Sequence, residues 1–265
     1  MSIINIHGYQ TKAYQTEKKA ETSKSVFQRV EKKYLLTQEQ YDGFKAEMLR
    51  HMTLDQYGLS TISSIYFDSD SFDLIRKSIS KPVYKEKFRL RGYGSVNNKS
   101  TVYAEIKKKY DGIVYKRRQE IPEKMFLNWD YTTSPFPIDT QIGKEIDYLF
   151  RRNSLRPKVY IGYDREAYFG NDNHSLRVTV DRNLRYRTEN LDLRAGAYGN
   201  PLLDKGTYLM EIKIPGALPL WMIKTMEKLN IRPVSFSKVG YWYENYRCDG
   251  ITTKIEENNN MKEAI

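Results

Sequence analysis

The chain has 265 residues, with 44 Lys and Arg against 33 Asp and Glu, a formal net charge of +11. That length can bury a sizeable core in one domain, and the positive excess calls for an anionic partner: nucleic acid, an acidic membrane surface or a polyphosphate. A lone cysteine (Cys248) excludes an intrachain disulfide, three histidines form no zinc pattern with it, and neither a GxxxxGK[ST] loop nor a membrane-length apolar run is present.

In chain order, residues 1–24 are polar and aperiodic and are expected to form a flexible arm without the apolar core of a signal peptide. Phe27 to Leu36 predicts a strand. Thr37 then opens a helix: Thr37 and Gln40 have capping-box spacing, and Tyr41, Phe44 and Met48 form its apolar stripe. Ser60 to Phe67 is a strand rich in β-branched and aromatic residues, and Ser71 to Ser80 a short helix. Strands follow at Tyr84 to Tyr93, Thr101 to Lys109 and Ile113 to Ile121, the last two joined by the hairpin signal Asp111-Gly112. Lys124 to Phe150 reads as mostly helical, interrupted at Pro135 and Pro137. Three more strands span Lys158 to Phe169, Leu176 to Tyr186 and Tyr208 to Ile214. Pro219 marks a helix start, with Trp221, Met222, Thr225, Met226 and Leu229 as its buried face. The aromatic and basic stretch from Ser235 to Tyr246 has no assignable state. A single domain over 25–250 and a disordered tail over 251–265 complete the expected organisation. The fold class is α+β: an antiparallel barrel of about eight strands with helices outside.

The chemical signal is charge at period two. Residues i, i+2 and i+4 of a strand share a face. Arg29, Glu31 and Lys33 follow this rule, as do Lys85, Lys87, Arg89 and Arg91. So do Glu105, Lys107 and Lys109, then Lys116, Arg118 and Glu120. Later strands carry Arg165, Arg177 with Asp181, and Glu211 with Lys213. One wet sheet face would explain any single strand. Recurrence over seven strands, the bias to one sign and the neighbouring aromatics point instead to a basic inner wall. Such a wall repels itself when empty, and a bound polyanion neutralises it.

Glu31, Glu105, Asp181 and Glu211 share faces with these cations. Glu105 and Asp181 read as partners that orient Lys and Arg. A divalent cation, Mg²⁺ or Mn²⁺, favours carboxylate oxygens and often shares a site with phosphates. Glu211 is the first candidate ligand and Glu31 the second.

Several runs occur in a telling order: RVEKKY (29–34), YFDS (66–69), FRLRGYG (88–94), AEIKKK (104–109) and VYKRR (114–118). YDREAY (163–168), LRVTVD (176–181), MEIKIPG (210–216) and FSKVGYW (236–242) follow. The series resembles the VTC domain, the polyphosphate polymerase branch of the triphosphate tunnel metalloenzymes, over about Phe27 to Tyr246. The resemblance implies an eight-stranded tunnel. It implies a phosphate-binding wall of Lys33, Arg89, Arg91, Lys107, Lys116, Arg165, Arg177 and Lys238, joined by Lys213 on the Glu211 strand. It also implies a metal carboxylate at Glu211, ATP as donor and inorganic polyphosphate as the growing chain. The opening motif Glu-x-Glu-x-Lys of hydrolase-type relatives reads Arg29-Val30-Glu31-Lys32-Lys33 here, a departure that the polymerase branch also makes.

Phosphoryl transfer to a phosphate oxygen needs positioning and charge neutralisation more than a general base, because that oxygen is largely ionised near neutrality. The expected activity is therefore an ATP-polyphosphate phosphotransferase. The alternatives are a tripolyphosphatase or nucleoside triphosphatase on the same barrel, and a non-catalytic polyphosphate-binding module. No nucleic-acid-binding motif is present. A cytoplasmic location, with membrane association through a partner protein, is expected.

Overall fold

The computed structural model describes residues 29–247; the expected arm (1–24) and tail (251–265) lie outside the described residues. The elements are β1 (Arg29–Leu36), α1 (Gln38–Met48), β2 (Met52–Leu54), β3 (Ser60–Asp68), α2 (Asp73–Ile79), β4 (Tyr84–Tyr93), β5 (Thr101–Tyr110) and β6 (Ile113–Pro122). They continue with α3 (Glu123–Leu127), α4 (Gln141–Asn153), β7 (Arg156–Gly170), β8 (Arg177–Arg187), β9 (Asn200–Pro201), β10 (Tyr208–Pro215), α5 (Leu220–Lys228), β11 (Pro233–Val234) and α6 (Lys238–Tyr246). The eight long strands are those the sequence predicts, seven from alternating charge and β3 from its β-branched and aromatic content.

Local chemistry accounts for several boundaries. Thr37 accepts from the Gln40 backbone N–H, and the Gln40 side chain accepts from the Thr37 backbone, which completes the capping box of α1. Asp111 and Gly112 both hold positive φ, 42° and 79°, as a tight hairpin turn requires. The helical expectation for residues 124–150 divides into α3 and α4. Residues before proline avoid the helical region, so Pro135 and Pro137 keep the intervening loop irregular. In the unassigned aromatic stretch, Ser237 caps α6 by accepting from the Gly240 N–H at 3.2 Å.

All strand pairs are antiparallel, in the order β11-β1-β10-β8-β7-β3-β4-β5-β6, with β2 added to β7 and β9 to β8. The sheet curls into a half-barrel whose edges are β6 and β11. A bulge between Gly162 and Asp164, near Asn183 in the left-handed conformation, interrupts the β7/β8 ladder, and bulges bend sheets.

Apolar burial fixes which face is outside. Phe88, Leu90, Ala104, Ile106 and Ile121 project from β4–β6 onto the α3/α4 layer, where they meet Phe126, Trp129 and Phe150. Tyr34, Val178, Val180, Met210 and Ile212 project from β1, β8 and β10 onto α1 and α5. On the inner face, Ile62, Tyr66, Val159, Ile161 and Leu209 pack against Val239 and Trp242 of α6, so this helix plugs part of the concavity.

Phe88 is fully buried, edge-on to Phe67 and Phe150 with ring centroids 5.4 and 4.8 Å away. Phe88→Ala should cost about 3–5 kcal/mol in urea unfolding. A loss below ~1 kcal/mol would show that the layer between sheet and α4 is not the main core.

Candidate anion-binding lumen

Because apolar positions of the long strands are claimed by the outer helices, the intervening positions must face the concavity. These carry Lys33, Lys87, Arg89, Arg91, Lys107, Lys116, Arg118, Arg165 and Lys213, and α6 adds Lys238 from its first turn. Two carboxylates organise most of them.

Glu105 on β5 is the first hub. Its Oε2 accepts from Arg89 Nε at 2.8 Å, and its Oε1 accepts from Arg118 Nε at 2.8 Å. Lys116 Nζ lies 2.8 Å from Oε1, and Arg91 Nε 3.9 Å from Oε2. The register explains the convergence: Arg89 and Arg118 are the cross-strand neighbours of Glu105 on β4 and β6. Burial alone would raise the Glu105 carboxyl, but the guanidinium groups of Arg89 and Arg91 and the Lys116 ammonium hold it well below the usual range.

Asp181 on β8 is the second hub, and it is fully buried. Arg165 grips it with two hydrogen bonds, Nε at 2.5 Å and Nη2 at 2.8 Å, and Lys238 Nζ lies at 2.7 Å. Burial opposes ionisation, and Lys238 with Arg165 lowers the carboxyl nonetheless. Both hubs are saturated by short, charge-assisted contacts.

Glu31 and Glu211 differ. Lys33 is opposite Glu211 and Lys213 opposite Glu31 across the β1/β10 ladder, a checkerboard of charge. Glu211 Oε1 is 3.7 Å from both Lys33 and Lys238, and its Oε2 is 3.7 Å from Lys213. Glu31 is 3.6 Å from Lys33 and 3.7 Å from Lys213. These are loose ion pairs rather than hydrogen bonds. Burial would raise the Glu211 carboxyl, but Lys238 and Lys33 keep it ionised far below the usual range. The carboxylates of Glu211 and Glu31 are thus less fully engaged than those of Glu105 and Asp181, and by the chemistry of their oxygens they are the pair that would suit a divalent cation. Among the described residues, no three His, Cys, Asp or Glu side chains gather as a metal cluster.

Residues 235–237, between β11 and α6, bridge the open side of the curl. Lys33 donates to the Phe236 carbonyl at 3.0 Å, and Lys87 to Ser237 Oγ at 2.9 Å. Lys87 and Lys107 face each other across β4/β5, and neither has a carboxylate at ion-pair distance among the described residues. Burial, with Lys85, Lys107 and Lys33 nearby, pushes the Lys87 ammonium down to about 8. Lys107 reaches into open space yet is lowered too, by desolvation and by Lys33 and Arg89, against the pull of Glu31. Two tyrosines complete the wall. Arg89 donates to Tyr66 OH at 3.1 Å and Arg91 to Tyr163 OH at 3.0 Å. Burial would raise the Tyr66 phenol, but Arg89 and Arg91 outweigh it and bring it down to about 8.

Of the sequence candidates, Lys33, Arg89, Arg91, Lys107, Lys116, Arg165, Lys213, Lys238, Glu31 and Glu211 share this concave face. Arg177 is on the same face, opposite Lys213, but is exposed at the rim. Lys87 and Arg118 belong to the same period-two sets and were detectable by parity alone. Tyr66, Tyr163 and Ser237 were not, because no charge marks them.

Residues 28–243 match the VTC domain, and the chain belongs to that family. It is 28% identical over 159 residues to vacuolar transporter chaperone complex subunit 4 of Schizosaccharomyces pombe, an alignment covering 52% of this chain. The chain spans only 22% of that relative's length. Among solved structures it is similar to a protein of Bacillus halodurans proposed as an adenylate cyclase, with 14% identity, a TM-score of 0.47, and coverage of 79% of this chain and 93% of the other. A counterpart from Vibrio parahaemolyticus, also proposed as an adenylate cyclase, has 12% identity and a TM-score of 0.42, over 81% and 97% of the two chains.

Lys87 has its pKa depressed, so its positive charge is present below pH 8 and lost as pH rises through that value; Tyr66 gains negative charge over the same range. Both changes oppose an anion. Affinity for a phosphate anion whose terminal group is already ionised there, with tripolyphosphate as the probe, should fall between pH 7.5 and 9.5, by about tenfold for one lost ion contact. Lys87→Gln should flatten that part of the profile, as measured by calorimetric titration. An unchanged affinity across the range would remove Lys87 from the anion's surroundings.

Proposed function

We propose that this chain is a polyphosphate polymerase, an ATP-polyphosphate phosphotransferase that transfers the γ-phosphoryl group of ATP to the end of an inorganic polyphosphate chain held in the basic lumen. The observation that carries the reading is the convergence of Lys33, Lys87, Arg89, Lys107, Arg165 and Lys238 on one concave face with too few carboxylates to neutralise them.

In this reading the terminal chain oxygen attacks the γ-phosphorus, the bond from that phosphorus to the β,γ-bridging oxygen breaks, and ADP leaves with the electron pair. Arg89 and Arg91, held by Glu105, and Arg165 and Lys238, held by Asp181, present fixed positive charge to the phosphoryl oxygens. Lys33, Lys107, Lys116 and Lys213 extend that charge along the chain, and Arg177 meets it at the rim. Glu211 and Glu31 would hold a divalent cation, Mn²⁺ or Mg²⁺, which would supply further positive charge to the phosphates during transfer. Hydrolysis by a tripolyphosphatase is helped by a carboxylate that can take a proton from water, and the lysines and arginines around Glu105, Asp181 and Glu211 hold these carboxyls below their usual range, which makes them weaker bases. The relative in a vacuolar complex supports a further part of the proposal: this chain works on the cytoplasmic side of a membrane and reaches it through a membrane-protein partner.

Incubation with ATP and Mn²⁺ should yield a ladder of long polyphosphate on a stained gel. Release of orthophosphate without chains would favour the hydrolase, and binding without turnover a non-catalytic module. Glu211→Gln keeps the side-chain shape and removes its charge, so turnover should drop by ~10²–10³ while triphosphate binding persists. Near-normal turnover in that variant would take Glu211 out of the reaction.

A further inference from the structure

The basic track does not stop at the lumen. Lys85 lies opposite Lys109 on β4/β5, one rung outward from the Lys87/Lys107 pair and on the same face. Like charges directly opposite one another in a sheet destabilise it. Here two such rungs follow in succession, separated by two residues, or roughly 6.8 Å of strand. The next strand does not relieve them: Lys116 stands beside Lys107, and Val114 beside Lys109.

The outer rung opens onto a cavity of about 340 Å³, lined by Lys81, Lys85 and Lys109 with Ser235 from the bridging segment. Asp111, in the hairpin turn, is the acidic residue of that lining. Lys85 donates to the Ser78 carbonyl at 3.0 Å, which anchors its side chain at the cavity. Burial and the neighbouring Lys109 and Lys81 lower its ammonium. Three cations around a polar cavity, continuous with a cationic lumen, have the chemistry of a site for a linear polyanion rather than for a compact one.

We propose that this cavity is a second phosphate-chain subsite, in which Lys81, Lys85 and Lys109 hold the part of a polyphosphate that extends beyond the lumen. The subsite rests on the polyphosphate reading above and adds to it a direction: the chain passes between the β4 start and the β5–β6 turn. Its contribution is chain-length dependent, because a short anion that fills the lumen does not reach it while a long one engages both sites at once.

The test is to measure binding of tripolyphosphate and of a long linear polyphosphate to the full chain and to Lys85→Ala/Lys109→Ala. The double variant should bind the long chain about tenfold more weakly and tripolyphosphate within about twofold of the unsubstituted protein. Lys85→Arg/Lys109→Arg should retain the long-chain affinity. If thermal melting shows the alanine pair unfolded, Lys81→Gln/Lys109→Gln carries the same expectation. Undiminished long-chain binding, or an equal loss for both lengths, overturns the subsite. An unsubstituted protein that binds neither anion overturns the polyphosphate reading itself, so the two failures are distinguishable.

Discussion

Like charge crowded onto the concave side of a sheet is the constraint on which the other features depend. Lysine and arginine ammonium and guanidinium groups repel one another, and removing them from water is costly unless each finds a partner. The fold answers with two hubs. Glu105 collects Arg89, Arg91, Lys116 and Arg118, and Asp181 collects Arg165 and Lys238. Each hub neutralises one charge and positions several, so net positive charge is left over and its geometry is preorganised. Lys87 and Lys107 express the excess most directly, since desolvation and nearby cations lower both.

Everything outside the lumen serves to hold that arrangement. The helices α1, α3, α4 and α5 bury the outer faces, which leaves inner positions of seven of the eight long strands to the lumen's charged residues. From the inside, α6 packs Val239 and Trp242 against Ile62, Val159 and Leu209, so part of the concavity is filled by apolar side chains and the basic residues are confined to the rest. The same helix supplies Lys238 to Asp181, and the residues before it tie Lys33 and Lys87 across the open side. Plug, bridge and charge donor are therefore one continuous segment.

Much of this was legible in the sequence because strand parity is a strong signal. Arg89 and Arg91 flank Leu90, and Lys107 sits between Ile106 and Lys108; the apolar neighbours face the helices and the odd positions face in. Lys108, at the opposite parity, pairs with Glu145 of α4 on the outer side. Parity fails where the chain is not a regular strand. The stretch from Ser235 to Tyr246 carries aromatics at no single period, because it bridges, caps a helix and plugs in turn. Phenols are equally silent: Tyr66 and Tyr163 look like ordinary core residues until the register brings Arg89 and Arg91 to their hydroxyls. The division of the acids into saturated hubs and loosely paired Glu31 and Glu211 depends on differences of about an ångström, which no spacing rule contains.

The central claim is that the lumen is short of negative charge and that a phosphate chain supplies it. Thermal unfolding with tripolyphosphate, compared with sodium chloride at the same ionic strength, tests this most directly. A ligand that binds only the folded state at 100 times its Kd stabilises it by about 2.7 kcal/mol, and that gain should largely disappear in Arg89→Ala. Equal stabilisation by chloride, or an unreduced response in Arg89→Ala, would contradict the account.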